Sequence, residues 1–342
     1  HRKITRCITH FHEMMPMIML QSDRVVIRFA DYRNKFTMVK RLKPSNDENR
    51  KDTPTKSIKL SFDRNKIFIG AHVSISNGLF KAFYNANVIG AKAFALFLRN
   101  QRQWSFKSIS DEMVAKFKAE AEKNKISLDN VVPHGSYLLN CGSPKDDILQ
   151  KSRNLFIEEL RTCDKLGIKY FNFHPGSTCG IASRTETIKL IADSVNLGIS
   201  KSENVIVLLE NMSCQGHTIG GKFEELQMII SQVTNKARIG VCLDTCHAFA
   251  AGFPLHKPDG YERMMEEFDS KIGLKYLKAI HLNDSKGDCG NHLDRHEDIG
   301  KGKIGLGLFE QMVNDPRLMN IPMILETPGE NIYKEQIDLL YK

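Results

Sequence analysis

A chain of 342 residues is long enough to bury a substantial core, in one large domain or in two ordinary ones. Apolar residues make up 41% of it and charged residues 26%, which is typical of a soluble globular protein, and no apolar run approaches the roughly 18 to 20 residues of a membrane-spanning helix. The formal net charge is +9, and residues 1–66, with 16 basic against 7 acidic residues, hold all of this excess.

The first 66 residues predict a basic, poorly structured N-terminal extension. They show no sustained periodicity and include KPSNDENRKDTPTKS at 43–57, which indicates a flexible linker. The apolar run at 14–20 is short and contains a proline, which argues against a secretory signal. We therefore expect an intracellular protein that is not secreted. The basic extension suits delivery to the nucleus, a mitochondrion or a plastid, contact with nucleic acid, or simply a solvated tail.

The eight cysteines are spread along the chain, without the paired spacing of a zinc ribbon or the crowding of a small secreted scaffold. We expect them to be reduced thiols that mostly pack as small apolar side chains.

From residue 67 onward, short β-branched runs alternate with helix-period stretches such as 111–124 and 155–167. Nearly continuous apolar strands that alternate with helices indicate a parallel sheet covered by helices, and eight such units predict an α/β fold, a (β/α)₈ TIM barrel over residues 67–342. The alternative, a doubly wound open sheet, would usually carry a phosphate-binding glycine turn, and no G-x-G-x-x-G follows a strand here. The predicted strands are 67–72, 92–97, 130–134, 169–174, 204–210, 238–244, 275–282 and 321–326.

Seven of these eight strands finish with a titratable or metal-binding side chain. In a parallel barrel all of the carboxyl ends lie on one face, where barrel enzymes keep their active sites. Burying so many imidazoles and carboxylates together is costly without a cation, so the pattern predicts a metal site. The residues are His72, His134, His174, Glu210, Asp244, His281 and Glu326.

The stretch GVCLDTCH at 240–247 places two thiols beside a carboxylate and an imidazole. Strand alternation puts Cys242 on the same side as Asp244 but one layer lower, inside the barrel, where it fills space. Asp244 lies at the mouth, and His247 is one turn further on. A zinc–thiolate site through Cys246 is the alternative, but no cysteine pair elsewhere would complete it.

The stretch LDRHEDIGKGKIG at 293–305 adds two further donors, Asp294 and His296. They are two residues apart, so in an extended segment both side chains project the same way and can share one ion, with His247 as the third ligand. Apart from His72, the candidates are five histidines and four carboxylates, a set that favours zinc or manganese and could hold two or three ions. Clustered divalent ions are a common device for phosphoester hydrolysis.

The sequence resembles the endonuclease IV family of zinc-dependent apurinic/apyrimidinic endonucleases. The resemblance covers essentially all of residues 67–342 and lies in motifs that follow in order along the chain. They are GAHVS (70–74), AFALFLRNQRQW (93–104), PHGSYLLN (133–140), NFHPGS (172–177), LENMSCQG (209–216), GVCLDTCHAFAAG (240–252), HLNDSK (281–286), DRHEDIGKGKIG (294–305) and ILET (324–327).

The resemblance implies three zinc ions, with Mn²⁺ possible at one position. The first would be held by His134, His174 and Glu210; the second by Glu210, Asp244, His281 and Glu326; the third by His247, Asp294 and His296. It implies that Glu210 and Glu326 are catalytic, and that a zinc-bound hydroxide attacks the phosphate 5′ to a missing base. The products would be a 3′-hydroxyl and a 5′-deoxyribose phosphate, with some 3′-end cleaning.

The resemblance also implies binding of duplex DNA that contains an abasic site, as a step of base excision repair, by a monomer without a membrane partner. Arg102, Tyr137 and Leu138 match residues that wedge into the base stack while the abasic nucleotide is flipped out. Gln101 and His72 are expected to contact DNA beside them.

Two other functions are compatible with parts of the sequence. A sugar isomerase shares the barrel and the divalent metal, but manages with one or two ions and would not need His247, Asp294 and His296. An inactive barrel could bind DNA through the basic extension alone, although a complete ligand set argues against it.

Overall fold

The structure, a computed structural model, describes residues 17–21, 24–28, 62–105 and 107–342. The chain divides into two compact units, His1–Ile58 and Lys59–Lys342. The predicted linker at 43–57 lies outside the described residues. In the first unit, strands β1 (Met17–Gln21) and β2 (Arg24–Arg28) pair antiparallel. This hairpin is not among the predicted strands, although β2 is rich in the β-branched residues that favour strands.

The second unit is built on a parallel sheet of seven strands in the order β4-β3-β11-β8-β7-β6-β5. The short strands β9 and β10 form a separate antiparallel pair above it. In chain order the strands are β3 (Phe68–His72), β4 (Ala93–Ala95), β5 (Tyr170–Phe173), β6 (Ile206–Glu210), β7 (Ile239–Asp244), β8 (Leu277–His281), β9 (Asp284–Ser285), β10 (His296–Glu297) and β11 (Pro322–Leu325).

The segment 131–134 closes the sheet into a barrel. The amides of Val132 and His134 donate to carbonyls that follow or lie in β4, and the amide of Asn172 in β5 donates to the carbonyl of Pro133. The third of the eight predicted strands, 130–134, is therefore present only as isolated bridges and not as a continuous strand. Pro133 has no N–H to donate, which interrupts the ladder. The predicted TIM barrel is confirmed.

Nine α-helices are present among the described residues, and those between successive barrel strands pack against the outside of the sheet. Helix α2 spans the predicted 111–124, because Ser110 caps its first turn, whereas α3 begins well before the predicted residue 155. None of them is long and apolar enough to cross a membrane. They are α1 (Lys81–Val88), α2 (Asp111–Asn124), α3 (Asp146–Leu166), α4 (Arg184–Ser200), α5 (Phe223–Gln232), α6 (Thr245–Ala251), α7 (Gly260–Lys271), α8 (Leu306–Val313) and α9 (Tyr333–Leu340).

The main core lies between the helices and the outer face of the sheet, and a smaller cluster fills the barrel interior. That inner cluster contains Cys242, fully buried against Leu208 and Ala279 of the neighbouring strands. A packed interior leaves the carboxyl ends of the strands as the face on which polar side chains can converge.

Candidate metal centre

All nine predicted ligands lie at this face, at the carboxyl ends of strands or in the segments that follow them. The structure gathers them into three groups in which the possible ligand atoms lie within 4.8 Å of one another. The groups are His134, His174 and Glu210; Glu210, Asp244, His281 and Glu326; and His247, Asp294 and His296.

The first group surrounds one oxygen of Glu210, which is fully buried at the end of β6. The Oε2 atom lies 3.2 Å from Nε2 of His134 and 3.6 Å from Nε2 of His174. The Nδ1 of His134 lies 2.8 Å from the carbonyl oxygen of Gly135. Because a carbonyl only accepts, that bond places the ring proton on Nδ1 and leaves Nε2 with the lone pair that a metal needs.

The second group uses the other oxygen of the same carboxylate. Oε1 of Glu210 lies 3.2 Å from Nδ1 of His281, and that nitrogen lies 3.0 Å from Oε2 of Glu326 and 3.9 Å from Oδ2 of Asp244. Glu210 therefore belongs to both groups, one oxygen to each, which is the arrangement of a bridging carboxylate.

The third group is built around Asp294. Its two oxygens lie 3.1 Å from Nε2 of His247 and 3.1 Å from Nε2 of His296. Both Nε2 atoms are buried, yet neither has a hydrogen-bond partner, so these contacts have the distance but not the geometry of hydrogen bonds. Their Nδ1 atoms lie 2.9 Å from the carbonyl of Asn211 and 3.0 Å from the carbonyl of Glu326. Ligand atoms that lie close together and face a common point, without hydrogen bonds between them, fit the coordination of a metal ion.

The electrostatics of the cluster favour a cation. Burial alone would raise the pKa of Glu210, but the facing rings of His281 and His174 hold it well below its usual range. Burial alone would lower the pKa of His296, but contact with Asp294 helps to raise it to about 9. Glu210 is thus strongly held in its charged form, and Asp294 draws positive charge onto His296. Divalent cations would supply that charge directly.

Three asparagines that the sequence analysis missed hold the carboxylates in place. The Nδ2 of Asn172 donates to Oε2 of Glu210 at 2.6 Å, and the Nδ2 of Asn283 donates to Oδ2 of Asp244 at 2.7 Å. Asn211 pairs with the backbone of Asp244 through both ends of its amide. Their position in the sequence could have indicated this role, since each asparagine lies one or two residues from a predicted ligand.

The cysteines do not form a competing site. All seven in the described part of the chain are free. The thiol of Cys246 lies close to Asp244 and His296, so a mixed site is geometrically possible. Burial, however, raises the pKa of Cys246 to about 12 and that of Cys242 to about 12, which disfavours the thiolate that a metal would require.

Two predicted DNA-contacting residues lie directly beside this centre. Tyr137 is 62% exposed, and the centroid of its ring lies 5.3 Å from that of the His134 ring. His72 lies 3.2 Å from Oε1 of Glu326 through its Nδ1. Tyr137, His72 and Glu326 line one cavity of about 980 Å³, together with Arg102 on the neighbouring loop.

Gln101 connects the two loops that carry the other predicted contacts. Its Oε1 accepts from the amide of Tyr137 at 3.2 Å, and its carbonyl accepts from the hydroxyl of Ser136 at 3.3 Å. Arg102 is exposed and Leu138 is half-buried. The five residues thus share one rim of the face that holds the nine candidate ligands.

Comparison with known proteins agrees with this geometry. Residues 83–342 match the family described as Xylose isomerase-like TIM barrel. The Apurinic-apyrimidinic endonuclease of Caenorhabditis elegans is 49% identical over 273 residues, which cover 80% of this chain and 69% of that protein. The Probable endonuclease 4 of Campylobacter concisus (strain 13826) is 45% identical over 80% of this chain and 96% of its own length. The crystal structure of endonuclease IV from Thermus thermophilus is 30% identical, covers 80% of this chain and 98% of that chain, and superposes with a TM-score of 0.70. This chain belongs to the endonuclease IV family of apurinic/apyrimidinic endonucleases, within the xylose isomerase-like TIM barrels.

Proposed function

We propose that this protein is a DNA repair endonuclease that hydrolyses the phosphodiester 5′ to an abasic site in duplex DNA, as a step of base excision repair. The observation that carries the proposal is the shared carboxylate of Glu210, which joins two candidate metal groups beside a third. Two further observations support it. Relatives nearly half identical to this chain are named as endonucleases, and the exposed Tyr137 lies at the mouth of the same face.

We propose three zinc ions, one in each group, with Mn²⁺ able to replace zinc at one position. The imidazole and carboxylate donors suit either metal. Bound there, the ions would lower the pKa of water to about 7 and neutralise phosphate oxygens. The chain's own contribution is to hold two carboxylates rigidly at this point. Both oxygens of Glu326 face imidazoles, one of His72 and one of His281, and Glu210 is fixed by Asn172.

We propose that the cavity of about 980 Å³ receives the backbone of the damaged strand. Tyr137, Leu138 and Arg102 would replace stacking that is lost when the abasic nucleotide leaves the duplex, and His72 and Gln101 would support them. The expected products are a 3′-hydroxyl and a 5′-deoxyribose phosphate, with 3′-end cleaning as a secondary activity at the same centre.

The third group argues for this function over sugar isomerisation, which uses one or two ions. His247, Asp294 and His296 contribute no donor to the first two groups, so a two-ion enzyme would have no use for them. The buried Nε2 atoms of His247 and His296, which have no hydrogen-bond partner, would be unfavourable without a bound metal ion.

The decisive experiment combines metal analysis with cleavage of a duplex that carries one abasic site. We expect three tightly bound ions per chain and a single incision 5′ to the site, lost on prolonged chelation and restored by zinc. Fewer than three ions would contradict the proposed three-ion centre, and fewer than two, or cleavage that is indifferent to chelation, would contradict the proposed function.

A matched pair of variants tests the DNA contact. Tyr137 and Tyr84 are both 62% exposed, but Tyr84 lies on helix α1 outside the centre. Tyr137→Ala should weaken binding of abasic duplex by about 1 to 3 kcal/mol, the usual value of one aromatic–base stack. Tyr84→Ala should leave binding unchanged, and equal losses in both variants would refute the assigned role. Binding driven by the basic extension alone would survive Tyr137→Ala.

We further propose that residues 67–342 form the catalytic domain of a monomer and that residues 1–66 serve as a basic extension for delivery to the nucleus or to a DNA-containing organelle. Light scattering would report the oligomeric state. Imaging of a reporter fused to residues 1–66 would report the compartment, and diffuse signal would contradict delivery.

A further inference from the structure

Asp284 is a fully buried carboxylate that lies outside the nine candidate ligands. Five backbone amides donate to it, at distances between 2.8 and 3.3 Å. Among the described residues, no lysine, arginine or histidine forms an ion pair with it. A buried charge without a counterion is costly unless it is hydrogen-bonded, so these amides are what stabilise it. They belong to Ser285, Gly300, Gly302, Ile304 and Gly305.

Four of these amides lie in the segment 300–305, which we call the glycine loop. Gly300 and Gly305 have φ angles of +76° and +82°, in the left-handed region that favours glycine. Their backbone is thereby free to turn amide groups inward, as in the backbone nests that bind anions. Here the anion is supplied by the protein itself, since Asp284 occupies the centre of the loop.

The same residue fixes the segment that enters the third metal group. Asp284 and Ser285 form strand β9, which pairs antiparallel with β10 in the register Asp284↔Glu297 and Ser285↔His296. The side chain of Asp284 therefore holds the glycine loop that follows β10, while its backbone holds β10 itself. His296 lies between these two attachments, and Asp294 is two residues ahead of it.

We propose that Asp284 is a positioning residue for the third metal group, because its carboxylate folds the glycine loop and so fixes Asp294 and His296 opposite His247. The inference rests on the three-ion centre proposed above. Asp284 touches no candidate ligand atom of that group, so its influence passes through the backbone.

Asp284→Asn is the sharpest test, because it keeps the size of the side chain. The side-chain amide of asparagine has one acceptor oxygen and one donor NH₂. If the NH₂ takes the place of Oδ2, it faces the amides of Gly300, Gly302 and Gly305. If it takes the place of Oδ1, it faces the amides of Ser285 and Ile304, so in either case donors face a donor. Asp288→Asn is the matched control, since it removes the same charge from an exposed position on the same connection. Asp288 lies 3.9 Å from Nζ of Lys303 in the glycine loop, and an exposed ion pair of this kind contributes little to stability, so the control also tests for loss of a surface contact to the loop.

Two measurements report the outcome. Metal titration should show one ion of three bound about 10- to 100-fold more weakly in Asp284→Asn, the usual cost of losing a residue that orients ligands, with the other two ions unchanged. Trypsin digestion of the metal-free protein should cleave faster after Lys301 and Lys303, which are exposed within the glycine loop. Asp288→Asn should match the wild type in both.

The results separate this inference from the proposed function. If the wild type binds three ions and Asp284→Asn binds all three equally well, the inference is overturned. If the wild type binds fewer than three, the proposed centre fails, and unchanged trypsin cleavage would then overturn the role of Asp284 in folding the loop. A loss of all three ions together would show a general structural role and also count against it.

A second variant keeps the test available if Asp284→Asn does not fold. A Cβ atom on Gly302 would lie 2.4 Å from Oδ1 of Asp284, too close for any ordinary contact. Gly302→Ala should therefore push the loop away from the carboxylate and weaken the same single ion. Unchanged affinity for that ion would refute the proposal from the side of the loop.

Discussion

Replacing Glu159 by Gln should stabilise the protein above pH 7 and leave its stability nearly unchanged near pH 4.5. Glu159 is fully buried in helix α3, with Oε1 3.6 Å from Nε of Arg99. Burial raises the pKa of Glu159 from 4.5 to about 7, although the charge of Arg99 opposes the shift. Here the cost of burying the carboxylate exceeds the gain from its partner.

The sign and size of this change in stability follow from the protons that the folded and unfolded chains bind at Glu159. Below pH 4.5 the carboxyl group is neutral in both the folded and the unfolded chain, so it resembles Gln. Between pH 4.5 and about 7 the unfolded chain loses the proton first, and the wild type loses stability as the pH rises through this range. A shift of this size corresponds to about 3 kcal/mol, which Gln avoids.

Urea unfolding of wild type and Glu159→Gln, both with metal removed by chelation, measures the difference at the two ends of this range. We expect the variant to gain about 3 kcal/mol relative to the wild type between pH 4.5 and a pH above 7. Glu158→Gln controls for the loss of one negative charge from the same turn of α3. A difference that is constant with pH, or that favours the wild type more as pH rises, would refute the reasoning.

Three further predictions concern the centre. Zinc binding to the metal-free protein at pH 7 should release protons, because His296, with a pKa of about 9, must lose its proton to bind; titration in buffers of different ionisation enthalpy measures the release. Glu210→Gln should abolish cleavage and weaken two ions while the circular dichroism spectrum stays native, since the carboxylate belongs to both groups. Cys242→Ala should lower the free energy of unfolding by about 1 to 2 kcal/mol, by leaving a small cavity in the barrel interior, and should keep the metal content of the wild type.

Each of these predictions has a clear contrary result. Zinc uptake without proton release would mean that the histidines are already neutral in the metal-free protein. Turnover in Glu210→Gln would show that its two oxygens do not bridge, and loss of metal from Cys242→Ala would mean that the thiol supports His281 rather than only filling space.

The barrel and the convergence of the ligands could be predicted because both depend on strand periodicity. In a parallel barrel, a metal-binding side chain at the end of an apolar strand lies on the carboxyl-terminal face. Such side chains are Glu210, Asp244 and His281, at the ends of β6, β7 and β8. Helix α2 was equally accessible, because its cap and its apolar spacing are local.

What the sequence did not indicate depends on contacts between distant residues. Asn172 and Asn283 bond carboxylates 38 and 39 residues away, and no local pattern records such a pairing. The segment 131–134 has strand composition, but Pro133 removes a donor from the ladder, so only bridges form. Asp284 belongs to a recognisable motif, whereas its role depends on a loop that folds back from residues 300–305.

The orientation of the imidazoles shows how the barrel rim couples the three groups. His134, His247 and His296 each direct Nδ1 to a backbone carbonyl, which leaves Nε2 for a metal. The carbonyl that orients His296 belongs to Glu326, whose carboxylate lies in the second group. One residue therefore supplies a donor to one group through its side chain and aligns another through its backbone. A side-chain substitution at Glu326 removes only the first contribution, whereas a shift of the rim backbone disturbs both, so rigidity of the strand ends matters to the centre as much as the identity of its ligands.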